Sequence, residues 1–231
     1  MTTLTKPTAR AASTALALEH ASDFAASADN AIKRMCDIFA SLLGIILLTP
    51  VWIIVALAVR LNDGGPAFFT QERVGLNGTT FTMFKFRTMR VDAEAMKASL
   101  VEANEADSSA GNSIMFKMTN DPRITRIGAF LRKTSIDELP QLFNVLRGDM
   151  SLVGPRPPLP SEVAQYEPRV MGKFAVRPGI TGLWQISGRS NLSWDETVHL
   201  DLSYAQHRSL TLDAWIMLQT VPALLRHEGA Y

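Results

Sequence analysis

The stretch from Thr134 to Pro157, TSIDELPQLFNVLRGDMSLVGPRP, decides the architecture that the sequence predicts. Four apolar residues in it recur at the spacing of one helix face: Leu139, Leu142, Phe143 and Leu146. Gly148 follows them, at a position where helices commonly end. Because Pro140 is tolerated in a first helical turn, where backbone N–H groups lack partners, we predict a helix that begins at about Asp137.

This helix start places two adjacent carboxylates, Asp137 and Glu138, at the positive end of a helix dipole. There they are expected to stay ionised and to face a cation or a phosphate-bound metal. Gly154-Pro155-Arg156-Pro157 follows, and its prolines hold Arg156 on a stiff loop suited to gripping an oxyanion. Taken separately, the carboxylate pair is most simply a helix cap and the Pro-Arg-Pro loop a rigid turn. The presence of both in one short stretch favours a functional site.

An apolar segment lies upstream. Ile38–Val59 contains 22 residues without a charge, and at about 1.5 Å per residue it could just cross a hydrocarbon core of about 30 Å. Pro50 lies near its middle, after Thr49, whose hydroxyl can help to satisfy a freed carbonyl. Cations flank both ends, and the length exceeds what a small soluble core needs. Two interpretations stay open: a kinked spanning helix, or a re-entrant helix-break-helix over about residues 36–60 that breaks at Thr49 and Pro50.

A β-hairpin is predicted after this segment. Two strand-like runs, PAFFTQERV and TTFTMFKFRTM, flank Gly75-Leu76-Asn77-Gly78, and Asn-Gly is a strong turn dipeptide. Lys85 and Arg87 are two residues apart in the second run, so they are expected on one face of the strand. Two neighbouring cations suit a diphosphate, and a solvated edge strand is the alternative.

The chain after the Pro-Arg-Pro loop carries two further signals. Arg177–Arg189 is predicted to be an irregular loop that carries Trp184 and Gln185, and Trp184 could stack on a base, anchor at a membrane interface or pack in the core. Ser193 and Glu196 have the spacing of a capping box and predict a helix start.

Composition limits the classes of function. The net charge of +1 gives no reason to invoke nucleic acid as a partner. The single cysteine, Cys36, excludes an internal disulfide and a cysteine-based zinc site. The length of 231 residues suits one domain with a real core.

Three blocks of sequence resemble one family. DPRITRIGAFLRKTSIDELPQLFNVLRGDMSLVGPRP, the later RPGITGLWQISGR and the earlier KFRTM are similar to the bacterial polyprenyl-phosphate sugar-phosphate transferases, the monotopic phosphoglycosyl transferases. The resemblance runs in order from about Lys33 to the C-terminus. The chain looks like the short members, which start exopolysaccharide or related glycan synthesis and lack an extra N-terminal transmembrane bundle.

The resemblance implies transfer of a hexose-1-phosphate from a UDP-sugar to a polyprenyl (undecaprenyl) phosphate, with Mg²⁺ as cofactor and UMP as product. Asp137 matches the aspartate that forms a phosphosugar–aspartyl intermediate, and Glu138 matches its metal-holding neighbour. We take both as metal ligands. Five residues are the candidates for binding substrate and its phosphates: Lys85, Arg87, Arg156, Arg189 and, in a family-like position, Asp201. Membrane lipid is a further partner, a homodimer is left open, and no motif specifies the hexose.

The predicted fold is α+β and mostly helical, with a small β-hairpin, in a monotopic protein on the cytoplasmic face of the bacterial inner membrane. The re-entrant segment and amphipathic interfacial helices hold it there. Leu210–Leu225 is expected to lie at the interface, and a basic amphipathic stretch that starts at Asp121 is expected either there or in solvent. Residues 1–32 are predicted to be a disordered tail with a weak helix near Thr14–Ala28, and residues 33–231 a single membrane-associated domain.

Two other functions stay open. In the first, a membrane-anchored, metal-dependent glycosyltransferase moves only the sugar and releases UDP, and Asp137 and Glu138 are just metal ligands. In the second, a non-enzymatic membrane anchor or assembly subunit uses the same carboxylates as helix caps. The product nucleotide separates the first from phosphosugar transfer, and tolerance of Asp137→Asn separates the second.

Overall fold

The computed structural model describes residues 9–97, 121–188 and 192–226. Its helices and strands, in chain order, are α1 (Ala9–Asp63), β1 (Phe68–Val74), β2 (Thr80–Phe86), α2 (Ala93–Lys97), α3 (Arg126–Thr134), α4 (Gln141–Arg147), β3 (Ser151–Val153), α5 (Pro160–Val163), β4 (Gly179–Thr181), α6 (Leu183–Ser187), α7 (Trp194–His207) and α8 (Leu210–Arg226). Short 3₁₀ segments occur at Leu76–Gly78, Ile136–Glu138 and Pro168–Ala175. The predicted mostly helical α+β class is therefore confirmed.

The chain divides into two units, residues 1–36 and residues 37–231. Within the first unit, residues 9–36 are the N-terminal part of α1. Where the sequence predicts a disordered tail over 1–32, the structure gives helix from Ala9 onward, because alanine is the strongest helix former and is frequent there. Residues 1–8 lie outside the described residues, and the predicted domain limits stay a prediction.

The part of α1 in the second unit packs one stripe of residues against the rest of that unit. The buried members recur at helical spacing: Asp37, Ser41, Trp52, Val55 and Val59. Trp52 meets the edge of Phe86 with ring centroids 6.4 Å apart, and it contacts Phe143 at 5.1 Å. The opposite face is apolar and exposed: Leu61 is 84% and Phe39 69% accessible.

Helix α1 continues through Pro50, which lies inside it. The Thr49 hydroxyl donates to the carbonyl of Ile45 at 2.7 Å, a back-bond that commonly bends helices. Among the described residues, Asp29–Asp63 is one helix long and apolar enough to cross a membrane. The re-entrant break at Thr49 and Pro50 stays a prediction.

The hairpin is confirmed. Strands β1 and β2 pair antiparallel, with Phe68 opposite Phe86 and Val74 opposite Thr80. Asn77 and Gly78 both adopt positive φ, at 55° and 75°, which explains the Asn-Gly signal.

The stretch that carries the adjacent carboxylates Asp137 and Glu138, called the dyad from here on, folds differently from the prediction. Helix α4 begins at Gln141, after Pro140 as its N-cap, and Gly148 ends it with φ 94°. The predicted start at Asp137 is wrong because residues 136–138 form a separate 3₁₀ turn, entered from Ser135 in the left-handed conformation with φ 55°. Asp137 and Glu138 therefore lie on that turn, one element ahead of α4.

A buried amide joins α4 to the hairpin. The Asn144 side chain, which is 0% exposed, accepts a hydrogen bond from the Phe84 N–H at 3.0 Å and donates to the Thr82 carbonyl at 2.7 Å. It thus pairs with the outer backbone edge of β2 as a neighbouring strand would. This contact fixes the strand that carries Lys85 beside the helix that follows the dyad turn.

A second, parallel pair, β3 with β4, was missed by the sequence analysis, which predicted an irregular loop after Arg177. Ser151 lies opposite Gly179, and Val153 lies opposite Thr181. The loop after β3 approaches so closely that a Cβ on Gly154 would lie 2.4 Å from the Arg177 carbonyl oxygen. Trp184 and Gln185 lie on α6, a short helix instead of a loop.

Helices α7 and α8 close the other side of the core. The predicted capping box is confirmed, with Ser193 accepting from Glu196 N–H at 3.3 Å and Glu196 accepting from Ser193 N–H at 2.8 Å. The buried Tyr204 hydroxyl lies 2.7 Å from Asp213 and 2.9 Å from the Val153 carbonyl, which ties both helices to β3. The outer face of α8 is apolar, and Leu218 on it is 72% exposed.

We expect Asn144→Ala to lower the free energy of unfolding by about 3 kcal/mol, because it leaves the Phe84 N–H and the Thr82 carbonyl without their partner. Thermal denaturation in detergent would measure the loss. The exposed Asn62→Ala is the matched control and should change the melting temperature little. Equal melting temperatures for Asn144→Ala and the wild type would contradict this role.

Candidate active site

The dyad turn opens into a cavity of about 420 Å³. Its wall combines residues of β1, β2, the end of α3, the start of α4, the Pro-Arg-Pro loop, β4, α6 and α8. Six charged residues line it: Arg73, Lys85, Arg132, Asp137, Glu138 and Arg156. Four cations against two carboxylates leave a formal charge of +2, so the cavity is suited to anions.

Asp137 is the buried member of the dyad, only 7% exposed. Burial raises the pKa of Asp137 to about 6, against the opposing charge of Lys85 and together with the like charge of Glu138. The sequence analysis expected the dipole of an α-helix to keep this carboxyl ionised. The residue instead lies on a desolvated 3₁₀ turn, and a pKa of about 6 still leaves it ionised at neutral pH.

Glu138 is the more open member, and its Oε1 lies 2.7 Å from Lys85 Nζ. The side chains of Lys85 and Glu138 are 24% and 35% exposed. Strand β2 delivers Lys85 to this position because its alternate residues Met83 and Lys85 face the cavity. The structure thus brings three predicted site residues together.

Arg132 completes the dyad end of the cavity. It lies near the C-terminus of α3, and its Nε donates to the Thr88 hydroxyl at 3.0 Å. Burial lowers its pKa, and the Asp137 charge opposes that effect. The sequence analysis assigned this basic helix to a membrane or solvent face. The sequence analysis did not use the one available signal, which was that Arg132 precedes Asp137 by only five residues.

Arg156, on the Pro-Arg-Pro loop, also lines the cavity. Glu162, which the sequence analysis did not single out, accepts from Arg156 Nη1 at 3.1 Å and from the Leu159 N–H at 2.8 Å. Burial acts to raise the pKa of Glu162, but the Arg156 guanidinium outweighs it and holds that pKa below its usual value. The Arg156 guanidinium carbon lies 6.0 Å from the centre of the Trp184 ring.

Arg73 was also missed. It lies in β1, and its Nη1 donates to the Pro157 carbonyl at 2.9 Å across 84 residues of sequence. Burial, with the like charge of Arg156, lowers the pKa of Arg73 to about 10. No local pattern distinguishes this arginine, because its neighbours in space are distant in sequence.

Two predicted residues, Arg87 and Asp201, do not line this cavity. Arg87 lies one residue beyond β2 and forms a bidentate ion pair with Asp63 at the end of α1. Asp201 on α7 is 2% exposed and pairs with Lys173. Arg189 lies outside the described residues.

The comparisons with known proteins agree with one another. Residues 28–227 match the model of a family described as bacterial sugar transferase. The galactosyl transferase CpsE of Streptococcus agalactiae is 48% identical over 199 residues, which are 86% of this chain and 43% of the relative.

Two further relatives are similar over the same region. The undecaprenyl-phosphate galactose phosphotransferase of Salmonella typhimurium is 44% identical over 200 residues, 87% of this chain and 42% of the relative. The exopolysaccharide production protein ExoY of Sinorhizobium fredii is 40% identical over 199 residues, 86% of this chain and 88% of the relative. The chain therefore spans less than half the length of the first two relatives.

The raised pKa of Asp137 predicts that Asp137→Asn stabilises the metal-free protein at pH 8. Since the carboxyl has a pKa of about 3.9 in an unfolded chain and about 6 here, the folded state binds more protons between these values. Stability should therefore fall as pH rises through that window and stay lower above it.

Melting temperatures of the wild type and Asp137→Asn, with a chelator, would measure this effect. The variant should melt higher at pH 8, and the difference should shrink by pH 4, where the wild-type carboxyl is protonated when folded. A variant that melts lower at pH 8 would mean that the charged carboxylate stabilises the fold.

Proposed function

Because the chain belongs to the bacterial sugar transferase family, we propose that it transfers a hexose-1-phosphate from a UDP-sugar to a polyprenyl phosphate and releases UMP. The observation that carries this proposal is the buried Asp137 carboxylate in a cavity lined by four cations. The name of the Salmonella relative, an undecaprenyl-phosphate galactose phosphotransferase, supports the same substrate classes.

The reaction consists of two displacements at one phosphorus atom. An oxygen of Asp137 attacks the β-phosphorus of the UDP-sugar, and the bond from that phosphorus to the bridging oxygen breaks. UMP leaves with the bonding electrons, and a phosphosugar–aspartyl acyl phosphate, a mixed anhydride, remains. A phosphate oxygen of the polyprenyl phosphate then attacks the same phosphorus, and Asp137 leaves as a carboxylate. A raised pKa makes Asp137 a stronger nucleophile than an ordinary carboxylate.

The cavity cations make this attack feasible. A carboxylate and a diphosphate repel each other, so positive charge must offset the approach. Lys85 and Arg132 lie at the dyad end of the cavity, and Arg156 lies on the opposite loop. Burial strengthens their electrostatic effect relative to water.

The donor set fits magnesium. Mg²⁺ prefers oxygen ligands and is usually held by one or two carboxylates together with substrate phosphates and water. Asp137 and Glu138 offer two such carboxylates, and the described residues contain no cluster of three or more metal-ligating side chains. When bound, the ion would neutralise charge on the transferred phosphate.

Membrane attachment from one side is supported by the packing of α1. Asp37 accepts a hydrogen bond from the Leu152 N–H at 3.1 Å, and Asp63 pairs with Arg87. Residues 37 and 63 would lie about 39 Å apart in a straight helix, yet both form hydrogen bonds with groups of the second unit outside α1. A helix crossing a core of about 30 Å would draw that unit into the bilayer. The re-entrant arrangement on the cytoplasmic face of the inner membrane avoids this cost.

The proposal predicts that purified protein in detergent, given Mg²⁺, a panel of UDP-sugars and polyprenyl phosphate, releases UMP. Asp137→Asn should lose turnover by several orders of magnitude because an amide is a poor nucleophile. Chromatography of the nucleotide products measures both effects.

The exposed Asp195→Asn, with a side chain 74% accessible, is the matched control and should keep its activity. Release of UDP would favour a glycosyltransferase that moves only the sugar. Near-normal turnover by folded Asp137→Asn would exclude the covalent step, and no turnover with any UDP-sugar would favour a non-enzymatic subunit.

The one-sided attachment predicts that cysteines at positions 20 and 110 are both shielded from an impermeant thiol reagent in intact cells. His20→Cys and Ala110→Cys would each be made in a Cys36→Ser background, because Cys36 is exposed. Labelling after lysis shows that each thiol can react. Labelling of position 20 alone in intact cells would indicate a spanning helix.

A further inference from the structure

Arg73 has no role in the chemistry described above, yet its side chain lines the cavity. The residue is 9% exposed and lies near the end of β1. A buried cation without a compensating anion is costly, so native proteins usually pair it. No described residue forms an ion pair with Arg73, in contrast to Arg87 and Arg123, which each hold an aspartate.

The hydrogen bonds of Arg73 are also incomplete. A guanidinium has five N–H donors. One at Nη1 donates to the Pro157 carbonyl at 2.9 Å, and one at Nη2 donates to Gln71 Oε1 at 2.6 Å. Nε is buried without an acceptor in the described part of the chain. Three donors are thus left over, and both acceptors in use are uncharged.

A second guanidinium increases the need for an anion. Arg156 is close enough for its charge to act on Arg73, and only Glu162 is paired with Arg156. Glu162 is already paired with Arg156, and the charges of Glu162 and Glu138 act on Arg73 without forming an ion pair with it. Phosphate is the anion class that matches, because its oxygens accept several N–H bonds from planar guanidiniums at once.

We propose that Arg73 and Arg156 together bind a phosphate group of a substrate in this cavity, with Arg73 as a further binding residue. The identity of the substrates rests on the proposed function. The phosphate can belong to the nucleotide or to the polyprenyl phosphate, and both present the same chemistry. Binding measurements distinguish these two sources.

The competing role for Arg73 is structural, since its bond to the Pro157 carbonyl also supports the Pro-Arg-Pro loop. A support role predicts that removing Arg73 disturbs the cavity for every ligand. A phosphate-binding role predicts a loss confined to ligands that carry phosphate. Uridine, which lacks phosphate, is therefore the discriminating probe.

The experiment measures dissociation constants by calorimetry for UMP, uridine and a short-chain polyprenyl phosphate in detergent. The variants are Arg73→Met, Arg73→Lys and, as a control, Arg147→Gln, which removes an exposed guanidinium outside the cavity. We expect Arg73→Met to weaken either UMP or polyprenyl phosphate by about ten- to hundredfold, the usual effect of losing charged hydrogen bonds. Arg73→Lys should lose less, and uridine binding should not change.

The ligand that weakens identifies the source of the phosphate. Unchanged binding of both phosphate ligands by a folded variant would overturn the proposal, as would an equal loss of uridine binding. If Arg73→Met does not fold, Arg73→Lys decides by the same comparison. These dissociation constants do not depend on turnover. A UDP product would therefore overturn the proposed function, whereas the phosphate-binding role of Arg73 is decided by the dissociation constants alone.

Discussion

The hydrogen bonds between the Asn144 amide and the backbone of β2 hold the two halves of the site together. Strand β2 carries Lys85, and α4 follows directly on the turn that carries Asp137 and Glu138. A side chain with both a donor and an acceptor can take the place of a strand at the sheet edge. Because α4 cannot move along β2 without breaking both bonds, the distance of 2.7 Å between Lys85 and Glu138 is a consequence of this contact.

The charges of the cavity form two groups. The charges of Lys85 and Arg132 act on Asp137, whereas Arg156 belongs to the Pro-Arg-Pro loop and Arg73 donates to the Pro157 carbonyl of that loop. Burial disfavours the charged form of each group, so it raises the pKa of Asp137 and lowers that of Arg73. A cavity with surplus positive charge is complementary to phosphate esters.

Local signals were predictable from the sequence, and distant contacts were not. The Asn77-Gly78 turn, the Gly148 helix end and the capping box at Ser193 each depend on a few consecutive residues, and all three are present. Asp137, Glu138 and Arg156 were singled out because proline and glycine mark their segments, and their roles, taken from the family resemblance, stay predictions. Arg87 was placed beside Lys85 by strand alternation, which ceases to apply where β2 ends at Phe86. The β3–β4 pair and the roles of Arg73 and Glu162 arise from chain segments that meet only after folding.

Helix α8 forms part of the cavity wall through Thr220 and Leu224, while Leu218 and Leu225 on its outer side are exposed. The Thr220 hydroxyl lies 2.7 Å from that of Thr181, so the wall is continuous with β4. On the proposed function, the lipid acceptor would then reach the cavity by diffusion in two dimensions along the bilayer surface. The effective concentration of that acceptor is its mole fraction among lipids and not its amount per litre. Dilution with inert lipid would slow the reaction even when the quantities of enzyme and acceptor in the sample stay the same.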